Sequence, residues 1–166
     1  IFNIDGEIFP VLLPDALSNS SATDGETTDS EITSASPGWF HSVTICFEPL
    51  APSETDFINT AEQAIEFVSD FESDAFKIIL DVKAMSSEPK SIPDIIRDSH
   101  PNFAYFHCND ENLKGPGFGD VDFRPIFGAL KEVGYDGVAS VEVFDFEEGP
   151  ETIARKSLRY MKEASA

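Results

Sequence analysis

Residues 43–81, VTICFEPLAPSETDFINTAEQAIEFVSDFESDAFKIILD, carry the reading that decides the fold. The run opens with a short apolar stretch, Val43–Glu48, rich in β-branched and aromatic side chains and closed by a carboxylate. Thr60–Phe71 then sets Ala61, Ala64, Ile65 and Val68 on one face at helical spacing, and Phe76–Asp81 returns to a strand pattern that again ends on a carboxylate. Strand, helix and strand in that order form a βα unit feeding a parallel sheet.

The same rhythm continues downstream. A helix is expected at Ile92–Ser99, with Pro93 suited to its first turn, and a strand at Phe103–His107. The glycine-rich stretch GPGFGDVD (115–122) follows, then a helix at Phe123–Val133 stopped by Gly134. Val138–Val143 reads as the fourth strand and Glu151–Ala164 as a closing amphipathic helix. The GPGFG loop has neither the G-x-G-x-x-G register nor a P-loop lysine, so its glycines are read as permitting a tight turn over a pocket, with Asp120 or Asp122 capping the next helix.

Upstream the pattern fades. Residues 1–17 form a short apolar segment broken by Pro10 and Pro14, and residues 18–38 are a Ser/Thr-rich acidic stretch expected to act as a flexible linker. The ordered domain is expected to start at Trp39 and run to residue 166. Ile1 in place of an initiating Met leads to the expectation of a fragment or a processed chain.

The chain of 166 residues is 41% hydrophobic and 25% charged, the balance of a globular protein of about one domain. With 31 acidic against 11 basic residues, its net charge of −20 repels phosphate backbones and anionic membranes. Nucleic acid and membrane partners are therefore not expected. Without a long apolar run or a signal-peptide pattern, a cytoplasmic location is the expectation. Cys46 and Cys108 are too few for a disulfide framework and have no paired zinc spacing, so both are read as buried free thiols.

Each strand ends in a residue suited to a metal or to proton transfer: Glu48, Asp81, His107 and Glu142. Their separations of 33, 26 and 35 residues are each about one βα unit, which sets the four side by side at one rim of a parallel sheet. Strand parity agrees: Thr44 and Cys46 share a face with Glu48, Tyr105 with His107, and Val138 and Ser140 with Glu142. The other faces carry Val43, Ile45 and Phe47, then Ile78 and Leu80, then Val141 and Val143, for burial under helices. Any one of these acids alone reads as a solvated loop residue or a helix cap. Together they offer three hard carboxylates and one imidazole, a set that suits Mn²⁺, Co²⁺, Mg²⁺ or Zn²⁺ and leaves room for water or substrate. The two glutamates also form a candidate acid/base pair.

The segments ICFEPL, ETDFINT, LDVKAM, YFHCND, GPGFGDVDF, GALKEVGYDG and SVEVFD stand in the order of a known family. Over about residues 39–164 the chain resembles the xylose isomerase-like TIM barrels, which include sugar phosphate isomerases/epimerases of the D-tagatose 3-epimerase type and endonuclease IV. The resemblance implies an α/β fold holding about four of the eight βα units of a TIM barrel, its C-terminal half. It also implies one divalent metal on Glu48, Asp81, His107 and Glu142, and a small-molecule sugar as substrate. By the same resemblance the metal polarises a carbonyl and its adjacent hydroxyl while Glu48 and Glu142 remove and return the neighbouring proton through an enediolate.

Departures from the family pattern bear on the substrate. Glu54 and Asn59 match a substrate-contact Glu and a structural Asn, beside the plainer readings of a loop acid and a helix cap. The epimerase D-x-x-H pattern is Asp81, Val82, Lys83, Ala84 here, so the substrate-side His is absent, and Leu113 stands where a substrate-binding Arg is expected, with Lys114 adjacent. Glu54, Lys83 and Lys114 are the candidate substrate contacts, Lys83 otherwise being a solvated loop lysine. Endonuclease IV would need that same His and a D-x-H pair, whereas Asp120 and Asp122 have no His; His41 and His100 read as surface or capping residues. A metal-dependent isomerase/epimerase is the expected function. A keto-inositol dehydratase or hydroxypyruvate-type isomerase on the same site, or a catalytically silent fragment or binding module, are the other readings. A half barrel alone is expected to be inactive, and to dimerise through its open edges or aggregate.

Overall fold

The structure is a computed structural model that describes residues 43–166. The expectations for residues 1–17, 18–38, Trp39 and His41 lie outside the described residues. Four parallel strands, β1 (Ile45–Phe47), β2 (Phe76–Asp81), β3 (Phe103–Cys108) and β4 (Val138–Val141), lie in sequence order in one sheet. Helices α1 (Ala61–Ser69), α2 (Val82–Met85), α3 (Ile92–Ser99) and α4 (Phe123–Glu132) fill the connections, and α5 (Pro150–Ala164) follows the last strand. This is about half of a TIM barrel.

The expected alternation of faces holds where the sheet is covered. Ile78, Leu80 and Phe106 are wholly buried under the helices, against Ala64, Val68, Ile96, Phe127 and Leu130. On the opposite face Cys46, Ile79, Tyr105 and Val138 are only half-buried, and among the described residues no strand stands across from them. Val43 and Ile45, expected under a helix, are exposed at the β1 edge.

Several boundaries differ from the sequence reading for local reasons. β1 spans three residues because Ile45 pairs with Phe76, where β2 begins, so Val43 and Thr44 extend beyond its partner. β4 stops at Val141; Glu142 N still donates to Cys108 O at 3.2 Å, but Phe144 N and Asp145 N both turn to Leu113 O. α1 begins after Thr60, whose hydroxyl caps it by accepting from Gln63 N, so Asn59 is not the cap. Asn59 instead ties its loop together by donating to Leu50 O and Thr55 O. α4 starts after Asp122, which accepts from Arg124 N as its cap, and ends ahead of Gly134 at φ 72°. The short α2 has no counterpart in the sequence reading, since four residues are too few to show a helical period. Among the described residues, no helix is long and apolar enough to cross a membrane.

Candidate metal centre

The parallel register builds the site. Asp81 pairs with His107 and His107 with Ser140, so the ends of β2, β3 and β4 finish level; Glu48 follows β1 and Glu142 follows β4 by one residue each. The sequence-predicted quartet comes together there, one ligand atom from each residue lying within 4.8 Å of the others. His107 Nδ1 stands 3.1 Å from Glu48 Oε1, 3.4 Å from Glu142 Oε2 and 3.8 Å from Asp81 Oδ2. One ring nitrogen can donate at most one proton, so it cannot satisfy three carboxylates. Asn109 Nδ2 reaches Asp81 Oδ2 and Glu142 Oε2 but leaves three carboxylates around one imidazole, and a divalent cation with oxygen and imidazole preferences would offset that charge. The residues present therefore fit a metal.

The electrostatics agree with crowding of like charges. Burial pushes the Asp81 carboxyl up; bonds from Ala84 N and Asn109 pull against it, and the charge of Glu48 adds to the rise. Burial also raises Glu142, opposed by His107 and reinforced by Glu48 and Asp81. For His107, burial pulls the imidazole down, but the hydrogen bond and charge of Glu48, with the charges of Glu142 and Asp81, outweigh it and hold the imidazole above its ordinary value.

Asp81 has two tasks. Its Oδ1 accepts from Ala84 N at 2.8 Å and so caps α2, while its Oδ2 accepts from Asn109 Nδ2 at 2.6 Å. Asn109 carries little signal in the sequence. Its only sequence signal is its place two residues after His107, on the same strand parity, within the YFHCND segment. Asp110, also buried, accepts from Val121 N at 3.1 Å and pins the GPGFG loop, whose Gly119 lies so close that a Cβ would come 2.2 Å from Asp110 Oδ1.

Next to the quartet, the expected substrate contacts divide. Lys83 Nζ lies 2.7 Å from Glu54 Oε1 and 4.3 Å from the centre of the Phe144 ring, so the Lys83 side chain is nearly covered rather than solvated. Both charged residues line a cleft of about 530 Å³ together with Ala51, Glu111, Leu113 and Phe144, contributed by the loops after all four strands. Lys114 is placed differently: its ammonium lies 3.6–3.9 Å from carboxylates of Asp145, Glu147 and Glu148. His100 is the exposed residue that ends α3. Cys108 is buried and Cys46 half-buried, both as free thiols.

Comparison with known proteins extends this picture. A D-psicose 3-epimerase of Agrobacterium fabrum is 32% identical over 102 residues, covering 61% of this chain and 35% of that protein. An L-ribulose 3-epimerase of Mesorhizobium japonicum is 32% identical over 115 residues, covering 69% and 39% respectively. The crystal structure of a D-psicose 3-epimerase in the presence of D-fructose superposes with a TM-score of 0.65 at 25% identity, covering 73% of this chain and 48% of that one. The chain thus spans less than half the length of these sugar epimerases. The family model described as xylose isomerase-like TIM barrel matches residues 40–164, and with the half-barrel sheet and its rim of four candidate ligands in place, the chain belongs to the xylose isomerase-like TIM barrel family.

Proposed function

We propose that this chain supplies the metal-binding half of a sugar isomerase/epimerase that moves a proton next to a carbonyl, with a ketose as the substrate class. The observation that carries the reading is the convergence of three carboxylates on one imidazole within 4.8 Å at the strand ends. Glu48, Asp81, His107 and Glu142 would hold one divalent ion, Mn²⁺, Co²⁺, Mg²⁺ or Zn²⁺. Bound there, it supplies Lewis-acid polarisation of a carbonyl and stabilisation of the negative charge that develops on proton removal.

The chain's own residues do the rest. Glu48 and Glu142 follow the outermost strands of the row, β1 and β4, so a substrate lying over His107 meets one carboxylate from each end. One glutamate takes the proton from the carbon beside the carbonyl and the other returns a proton, with inversion when delivery is to the opposite face. Burial is the largest cause raising the Glu142 carboxyl when no cation is bound, and a bound cation would pull it back toward the carboxylate. Glu54 and Lys83 offer an acceptor and a donor to substrate hydroxyls in the adjoining cleft, with Phe144 as an apolar wall. Lys114, next to the cleft residue Leu113, would reach a substrate only by leaving Asp145, Glu147 and Glu148.

The relatives' greater length and, among the described residues, the uncovered inner face support a further point: the 166-residue chain alone does not turn over substrate, and the two sheet edges left open among those residues favour a homodimer. The test is isotope exchange in D₂O with metal-loaded protein carrying the complete barrel and candidate ketoses. Deuterium should enter at the carbon next to the carbonyl, and Glu142→Gln should stop it. Exchange that survives Glu142→Gln would remove Glu142 from proton transfer, and no exchange with any ketose would remove the reaction class.

A further inference from the structure

Asn109 is wholly buried, and every polar atom of its side chain is engaged. Its Nδ2 donates to Asp81 Oδ2 at 2.6 Å and to Glu142 Oε2 at 3.4 Å, while its Oδ1 accepts from Lys83 N at 2.8 Å. One amide after β3 therefore ties the end of β2 and the first turn of α2 to the residue after β4. Only an amide of this length fits the three partners. A carboxylate would present a third acceptor to two acceptors already short of protons, and an apolar side chain would leave Lys83 N without its acceptor.

Resting on the metal reading above, we propose that Asn109 is a positioning residue. It sets the separation of Asp81 and Glu142 for the cation and locks that spacing to the first turn of α2, which aims Lys83 at Glu54. Asp81 has its other oxygen on Ala84 N, so the Asn109 bond determines how the remaining oxygen faces the rim. Glu142 follows the end of β4 with its backbone N–H still on Cys108 O, and its side chain accepts from the same Asn109 amide that holds Asp81.

The experiment uses Mn²⁺ as probe and the full 166-residue chain. Free Mn²⁺ is followed by electron paramagnetic resonance, which gives both the dissociation constant and the line shape of the bound ion. Asn109→Ala should weaken Mn²⁺ by about 10- to 100-fold, as loss of a ligand's hydrogen-bond partner does, and broaden the bound signal. Leu130→Ala, in the wholly buried core of α4, should lower the melting temperature and leave both readouts at wild-type values. Because Asn109→Ala could fail to fold, Asn109→Asp is the second variant: it keeps the volume and the acceptor for Lys83 N but replaces both donated bonds by a like charge. Its metal-free melting temperature should fall, and Mn²⁺ should raise it by more than in wild type. Wild-type Mn²⁺ affinity and line shape in Asn109→Ala, or a wild-type melting response in Asn109→Asp, would overturn the inference. A wild-type chain that binds no Mn²⁺ would instead overturn the metal reading on which it rests.

Discussion

The same substitution, glycine to alanine, should have opposite signs at two exposed positions. At Gly119 a Cβ would sit 2.2–2.4 Å from three atoms of the Asp110 carboxylate. That carboxylate has nowhere to retreat, since Asp110 is 2% exposed and its Oδ2 holds Val121 N at 3.1 Å. Making room costs about 1–3 kcal/mol of overpacking and about 1.5–3 kcal/mol for the hydrogen bond to a charged group. A net loss of about 3 kcal/mol is expected. At Gly128, inside α4, nothing lies within 4 Å of the added methyl. Alanine there should stabilise by about 0.8–1 kcal/mol through helix propensity alone. At roughly 3–5 °C per kcal/mol for a domain of this size, Gly119→Ala should melt roughly 10 °C lower and Gly128→Ala a few degrees higher. Urea unfolding of both variants beside wild type gives the free energies directly. A Gly119→Ala chain as stable as wild type would show that the Asp110 pin is not formed as described, and a destabilised Gly128→Ala would refute the propensity argument.

Glu48→Gln and His107→Ala should each abolish stoichiometric Mn²⁺ in elemental analysis; retention of wild-type metal by both would sink the ligand assignment. In EDTA, stability should fall through this site as the pH rises. The contributions of Asp81, Glu142 and His107 are full below their ordinary values of 3.8, 4.5 and 6.5 and are lost as pH climbs through their raised folded values. Mn²⁺ should reverse that trend, because protons compete with it for the same atoms; urea melts between about pH 5 and 8 with the same slope in EDTA and in Mn²⁺ would contradict this. Light scattering on the isolated chain should report a dimer or aggregate without turnover, and a stable, active monomer would refute the half-barrel argument.

The strands and the convergence of the quartet are legible because two regular signals coincide at them: period-two burial, as in Ile78 and Leu80, and a polar residue at each strand end. The fold class followed from repetition of that pattern, and the quartet from its spacing. What stayed hidden depends on loops folding back. Asn109 looks like any loop asparagine until β2 and β4 arrive on either side of it. The need for glycine at 119 comes from Asp110, nine residues earlier, and not from its own backbone, whereas Gly134 at φ 72° could be read as a helix stop. Lys83 looked solvated because its cover, Phe144, arrives from the far end of the sheet 61 residues later. β1 was overestimated because its length is decided by where β2 begins.

The double use of Asp81 also bears on the order in which a metal centre assembles. Its carboxylate is already oriented by the end of a helix, His107 is held inside a regular strand and Glu142 is tied by Asn109, whereas Glu48 stands just past the last paired residue of β1. A cation reaching this rim would meet three tethered groups and one pliable one. Capture would begin on the tethered groups, at little entropic cost, and finish as Glu48 settles. On the proposed assignment the two glutamates would then differ in freedom, Glu48 being the one able to follow a changing substrate.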